Sequence, residues 1–413
     1  MHRTGEKGMK GYTRIKADYL FDSMAGEFKR DPLVTIERDK IASVEHLGES
    51  SSSSDAETVD LSGCTLLPGF IDSHDHLSLS PQLKNAAQLM SDPDPMLTLR
   101  GIINMRTDLS AGITTSRCLG EKNFIDICLR NALNQGMIEG PRIVTCTRGI
   151  KASHGHGVVG TAFDGCDAIR DAVRENIKRG ADFTKIFATD TARASSFLPS
   201  YLSPDEIKTA VDESHRAGKM VAAHSIGGAG LTDCIEQGVD VIEHAYVASD
   251  EQLDSLLKNN RWVVLTPSVF FDDTRMENLA KDAADQRRGN RDEVRETYGK
   301  ILISGIKVAI GTDASHGRLV EDVIFLVSVL GGRLAKCLQA ITSNAADICG
   351  MGHLIGSIVP GTKADLVAVK GNVERDIKSL RRVCFVMKDG IVRTSNSTFD
   401  QCCNGKAYDF KTV

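Results

Sequence analysis

Pro68-Gly69-Phe70-Ile71-Asp72-Ser73-His74-Asp75-His76 carries the first clue to the architecture. An apolar run, Thr65–Ile71, leads into two histidines two positions apart. In an extended chain, side chains at i and i+2 share a face and stand about 7 Å apart at the backbone. His74 and His76 can therefore grip one metal ion. Two solvated loop histidines would read the same way, so the pair needs support from the rest of the chain.

Beyond it, short apolar runs alternate with longer amphipathic segments, the pattern of βα units. Eight strands are predicted: Thr65–Ile71, Ile113–Leu119, Arg142–Thr147, Phe183–Ala188, Met220–His224, Val241–His244, Trp262–Thr266 and Val308–Gly311. Helices are predicted between them over Asp167–Arg179, Ser203–Ala217 and Ser249–Asn259. Ser203-Pro204-Asp205-Glu206 is a helix start, with a serine cap, proline in the first turn and acids beside it. Gly218, Gly238 and Gly305 sit where helices hand over to strands. Eight strands with intervening helices over about 250 residues is the size of a (β/α)8 TIM barrel.

The flanks read differently. Tyr12–Ile15, Leu33–Glu37 and Ile41–Glu45 are short predicted strands, and Ser50–Ser54 is a loop tip. Strand patterns return at Ile358–Val359, Asp365–Val369, Val383–Lys388 and Ile391–Thr394. The expected architecture is an α/β barrel over 65–355, with 1–64 and 356–413 joining in a small β-sandwich domain. A chain of 413 residues, 41% hydrophobic and 25% charged, can bury such a core unaided.

Composition also excludes. A net charge of -5, with no basic stripe, argues against nucleic-acid binding. No run of about 18 apolar residues appears, so no membrane partner is expected. Eleven cysteines, scattered except for Cys402-Cys403 and without a Cys-x-x-Cys pair, suit a reducing, cytoplasmic setting.

Active sites of such barrels lie at the carboxyl ends of the strands. Strand four carries Lys185 inside Asp182-Phe183-Thr184-Lys185-Ile186-Phe187, where alternation points it inward. Burial lowers the pKa of an amine, and a neutral amine can take up carbon dioxide as a carbamate whose two oxygens can bridge two metals. Strand five ends in Ala223-His224-Ser225, strand six in Glu243-His244-Ala245 and strand eight in Gly311-Thr312-Asp313-Ala314. Singly, each has a bland reading: a core histidine, a snorkelling lysine, a capping aspartate. Together they form the N/O ligand set that borderline and hard metals take.

These motifs, with Pro360-Gly361-Thr362-Lys363-Ala364-Asp365-Leu366-Val367 and Val386-Met387-Lys388-Asp389-Gly390, resemble the amidohydrolase superfamily from about Tyr12 to Thr394. The nearest likeness is to its imidazolonepropionase-related branch. That branch holds metal-dependent Xaa-Pro-type dipeptidases, carboxypeptidases and N-acyl amino acid amidases. The resemblance implies two divalent ions, zinc by ligand type. His74, His76 and Asp313 would hold the first and His224 and His244 the second, with a carboxylated Lys185 bridging them. It implies attack by a metal-bridging hydroxide on the amide carbonyl of a dipeptide or N-acyl amino acid, with Asp313 as general base and acid. A homo-oligomer acting on a small molecule is expected.

Ser153-His154-Gly155-His156-Gly157 resembles the branch's Gly-Gly-His-Gly loop, which aligns His154 with a carbonyl-polarising or substrate-contacting histidine. His156, Tyr201 and His316 are further candidate substrate contacts. After Lys185 the chain departs from the branch's Ala-Thr-Gly-Gly, reading Ala188-Thr189-Asp190-Thr191-Ala192-Arg193. Arg193 can bind a substrate carboxylate. Hydrolysis of an aryl amide, urea or carbamate, and opening of a cyclic amide, are alternatives, the last disfavoured by Lys185. A scaffold that had lost its metals would have lost ligands, and here all six positions are filled. Gly227–Gly230 reads as a loop, and the charged stretch Lys281–Arg295 as a solvated helix.

Overall fold

The structure, a computed structural model, describes residues 12–46, 57–191 and 198–395. Residues 1–11, the serine run Ser50–Ser54, Arg193 and Cys402-Cys403 lie outside it.

Eight parallel strands form the barrel. Strands one to four are Phe70–Asp75, Ile113–Cys118, Arg142–Thr145 and Thr184–Phe187. Strands five to eight are Val221–Ser225, Val241–His244, Trp262–Leu265 and Lys307–Ile310. Strands one to three pair in one sheet and four to eight in another. The two seams are closed by backbone hydrogen bonds. Asp182 N donates to Thr145 O (2.7 Å) between strands three and four, and Asp313 N to His74 O (2.8 Å) between eight and one. Most of these strands are buried on both faces, as parallel strands covered by helices must be.

The covering helices start and stop where local chemistry dictates. Ser203 and Ser249 each close a capping box, with Glu206 and Gln252, over the helices Pro204–Arg216 and Asp250–Lys258. Gly180 and Gly305 end the helices Cys166–Arg179 and Arg291–Ser304 in left-handed conformation. Gly228–Glu236, expected as a loop from its glycines, begins a helix instead. Lys281–Arg295 is interrupted at Asn290, giving two helices, Lys281–Gly289 and Arg291–Ser304.

Both flanks of the chain meet in one continuous eight-stranded sheet. Its strand Glu57–Pro68 runs parallel to Tyr12–Asp22 on one side and antiparallel to Leu366–Lys370 on the other. Ile15, Val34, Ile36 and Ile41 from one end of the sheet share a core with Leu366, Cys384 and Phe385 from the other. The expected strand Thr65–Ile71 is divided at Gly69: Glu57–Pro68 belongs to this sheet and Phe70–Asp75 to the barrel. A Cβ on Gly69 would stand 2.2 Å from Thr114 Oγ1, so only glycine fits the crossing. Ile358–Val359 is not a strand; it lies in the irregular chain before Leu366.

Candidate metal centre

The strand ends bring most of the expected ligands together. His74 Nε2 and His76 Nε2 each lie 3.5 Å from Asp313 Oδ1. All three donor atoms fall within 4.8 Å of one another. Ring centroids of His244 stand 4.6 Å from those of both His74 and His224. Lys185 is buried, and its Nζ has no hydrogen-bond partner among the described residues; it lies 5.0 Å from the centre of the Phe187 ring.

Each imidazole has one nitrogen tied to the protein and the other left over. His74 Nδ1 donates to Glu243 Oε2 (2.7 Å), and His76 Nδ1 to Gly120 O (3.0 Å). His224 Nε2 donates to Asp190 O (3.2 Å), and His244 Nδ1 meets Thr266 Oγ1 (2.8 Å). Such partners fix the tautomer and free a lone pair for a metal. Burial pushes His74 down to about 4 against the pull of Glu243, and it also holds His224 and His244 well below their ordinary value. His74, His224 and His244 are therefore neutral, as ligands must be. Burial pushes the Lys185 amine down to about 8. Asp313 is held well below the carboxylate range: burial opposes this, but Arg275 and the two histidines outweigh it.

The donor set fits a divalent ion. Two ligands each about 2 Å from one tetrahedral ion stand roughly 3.3 Å apart. The 3.5 Å separations of His74 and His76 Nε2 from Asp313 Oδ1 are close to that spacing.

Backbone geometry aims these groups. His244 (φ 82°) and Asp313 (φ 51°) both adopt the left-handed region, as do the residues that follow them, Ala245 and Ala314. Such conformations are costly for non-glycine residues and cluster at functional sites. At strand six the left-handed backbone at His244 ends the regular alternation, and two consecutive residues serve one interior. His244 faces His74 and His224, while Glu243 bonds His74 and, through Oε1, Arg117 Nη1 (2.8 Å). Simple strand alternation would have put them on opposite faces.

The remaining expected residues separate. His154 and His156 lie on a loop between two short strands, Ile150–Lys151 and Thr161–Ala162, the first of which pairs with strand four. His156 packs against His224, ring centroids 4.7 Å apart. His154 is exposed and stands edge-on to Tyr201 at 5.4 Å. The loop thus brings His156, the lesser candidate from sequence, against the ligands, and places His154 with Tyr201. His316, a candidate substrate contact from sequence, is turned into the protein. Its Nδ1 pairs with Asp108 Oδ2 (2.8 Å) and its Nε2 donates to Leu79 O (2.9 Å), so both nitrogens are committed inside the protein.

Sequence reading gave no role to Glu243, Arg117, Asp72 or Arg275. Asp72 staples strand one to strand eight: Oδ1 accepts from His74 N (3.0 Å) and Thr312 N (3.1 Å), and Oδ2 from Thr312 Oγ1 (2.7 Å). Arg275, in the helix Asp273–Glu277, reaches Asp313 O (2.7 Å) through Nη1 and Asp313 Oδ2 (3.2 Å) through Nη2. An acid beside a ligand histidine was the one available signal, and it marked Glu243. Arg117 and Arg275 meet the site only through tertiary approach, and Asp72 joins its local bond to His74 N with a tertiary one to Thr312.

A parallel barrel with histidines, a lysine and an aspartate converging at its strand ends, flanked by a sheet built from both chain ends, defines the class of metal-centre barrel proteins. Within that class, a model of the amidohydrolase family matches residues 65–394, and the chain belongs to that family. It is 28% identical to an ochratoxinase of Aspergillus niger over 279 residues, 60% of this chain and 58% of the relative's length. It is 25% identical to an imidazolonepropionase of Geobacillus kaustophilus over 356 residues, 76% of each chain. A crystal structure of a Xaa-Pro dipeptidase with methionine bound in its active site aligns with a TM-score of 0.83 and 26% identity, covering 93% of this chain and 100% of that one. Among the described residues, no helix is long and apolar enough to cross a membrane.

Proposed function

We propose that this chain is a binuclear metal-dependent hydrolase of C–N amide bonds in small substrates, a dipeptide or N-acyl amino acid. The observation that carries the reading is Lys185: a buried amine with no hydrogen-bond partner among the described residues, pushed down to about 8 by burial, on the strand beside the one that carries His224. At pH 7 an amine with that pKa is uncharged in roughly one molecule in ten, enough to react with carbon dioxide. His74, His76 and Asp313 would hold one ion and His224 and His244 the other, with carboxylated Lys185 shared between them. Zinc suits this ligand set. When bound, such ions lower the pKa of water and polarise a carbonyl.

The chain's own residues do the rest. Asp313 turns Oδ1 toward His74 and His76 while Arg275 holds Oδ2. It accepts the proton of the attacking water and delivers it to the leaving nitrogen, without which an amine departs poorly. His156 is half-buried, and burial pushes it down to about 4, so it is a neutral donor beside His224 for the oxyanion that develops at the carbonyl. His154 and Tyr201 contact the outer part of the substrate. The likeness to a Xaa-Pro dipeptidase supports this substrate class.

Metal content of protein purified without chelator, compared with Lys185→Ala, tests the reading. About two ions per chain, falling in the variant, together with hydrolysis of dipeptides or N-acyl amino acids, is the expected result. One ion per chain, unaffected by the substitution, would replace this reading with a mononuclear cyclic-amide hydrolase.

A further inference from the structure

The ion pair of Arg117 with Glu243 is wholly enclosed, and it ends on a candidate ligand. Arg117, from strand two, is among the largest fully buried side chains of the protein. Its Nη1 donates to Glu243 Oε1 on strand six (2.8 Å) and to Ser73 O on strand one (3.0 Å). Its guanidinium lies over the Phe183 ring, 4.2 Å from the centre. The other carboxylate oxygen, Glu243 Oε2, accepts from His74 Nδ1 at 2.7 Å. On the far side of the same ring, His74 Nε2 lies 3.5 Å from Asp313 Oδ1.

The donor and acceptor roles along this chain are fixed. A guanidinium can only donate, and a carboxylate can only accept. Glu243 therefore keeps the proton of His74 on Nδ1 and leaves the Nε2 lone pair on the side of His76 and Asp313. One nitrogen of Arg117 holds both supports of His74: the peptide that precedes it and the carboxylate that fixes its ring. A plain structural pair between strands two and six is the competing reading, and the cost of burial counts against it. Arg117 Nε and Nη2 have no hydrogen-bond partner among the described residues. Apolar side chains of similar volume hold a core as well as a buried ion pair does, or better.

We propose that Arg117 is a positioning residue for the metal centre: acting through Glu243, it sets the tautomer and ring orientation of His74 and so tightens the site that His74 shares with His76 and Asp313. The proposal rests on the metal-dependent reading above and deepens it. Partners behind a ligating histidine raise its basicity and cut the freedom it would otherwise lose on binding.

Zinc affinity is the readout, so the test does not depend on which amide is cleaved. It is measured by chelator competition on wild type, Arg117→Met, Glu243→Gln and the double variant, each shown by circular dichroism to be folded. Either single substitution is expected to weaken zinc binding about ten- to a hundredfold. The amide of Glu243→Gln offers one acceptor to two donors, Arg117 and His74. Removing Arg117 as well frees that oxygen for His74, so the double variant is expected to bind zinc no more weakly than Glu243→Gln, and to regain part of the loss. Losses that multiply in the double variant would mean that Arg117 acts independently of Glu243, and would overturn the proposal. So would single variants that bind zinc as wild type does. Should Arg117→Met not fold, Arg117→Gln, which leaves a polar group in the buried gap, takes its place in the same cycle and the same outcomes decide. A wild type that binds no zinc overturns the metal-centre reading and this role with it, whereas wild-type binding that neither single substitution weakens overturns the role of Arg117 alone.

Discussion

His316 shows how much a residue's role depends on what folds against it. From sequence it is a histidine three positions after a ligand, and a pocket contact is a fair expectation. In the structure it is a buried latch between the strand-eight loop and the strand-one side of the barrel, held by Asp108 at 2.8 Å and facing Asp75 at 3.6 Å. Burial opposes its charge, but the two carboxylates outweigh burial and push it up to about 10 from 6.5. A folded-state pKa raised above the unfolded one gives stability that is complete below about pH 6.5 and is lost as pH rises through about 10. His316→Asn is therefore expected to cost about 3 kcal/mol near pH 6, in the range for removing one partner of a buried pair. The difference from wild type should shrink toward pH 10. Urea denaturation at both pH values checks this; a pH-independent difference would show that the charge contributes nothing. The candidate ligands themselves were easier to single out, because histidine, lysine and aspartate at the ends of apolar strands are uncommon and chemically specific. Their supports were not. Arg117 reaches Glu243 from strand two, and Arg275 reaches Asp313 from a helix after strand seven, and no local pattern announces either contact.

At the scale of elements, the barrel is shut by glycine. A Cβ on Gly311 would stand 2.3 Å from His74 N and 2.5 Å from His74 Cβ, so strand eight approaches the ligand-bearing end of strand one more closely than any side chain allows. Backbone cannot yield as a flexible side chain can. Gly311→Ala is expected to destabilise the fold by about 3 kcal/mol or more and to lower bound metal, since relief must move His74 or Asp313. Thermal unfolding alongside elemental analysis reads both effects, and a variant with full metal and unchanged Tm would show that the approach is not needed. Most elements were legible, because parallel strands are continuous apolar runs and serine caps mark helix starts. The run Thr65–Ile71 misled for a physical reason. Its apolar character is unbroken while the chain leaves one sheet and enters another at Gly69, and periodicity reports burial, not the sheet that provides it. The helix beginning at Gly228 was hidden because glycine is a poor helix former in isolation, and tertiary packing overrides that preference.

For the whole molecule, barrel and sheet are joined through Arg142. Its Nη1 pairs with Asp365 Oδ2 at 2.6 Å and its Nη2 with Asp389 Oδ1 at 2.5 Å, linking barrel strand three to the strand-bearing segment near the end of the chain. Asp365 is almost fully buried and Asp389 only partly. Arg142→Met is expected to cost about 2 kcal/mol, between the values for exposed and buried pairs. Arg142→Lys should restore less than half, because an ammonium cannot span two carboxylates as a fork does. A lower urea midpoint in both variants is the readout, and an unchanged midpoint in Arg142→Met would mean that the two parts hold together without this link. The sheet on which Arg142 acts has a consequence for synthesis on the ribosome. Strand Glu57–Pro68 lies between Tyr12–Asp22 and Leu366–Lys370. One edge of it must therefore wait for a neighbour that emerges roughly three hundred residues later, which takes on the order of 15 to 60 seconds at ordinary elongation rates. Through that interval the nascent chain presents an unpaired strand bearing Leu66 and Leu67, an edge that invites pairing with other chains. The strand Leu366–Lys370 thus acts as the cover that Glu57–Pro68 has awaited since its own synthesis.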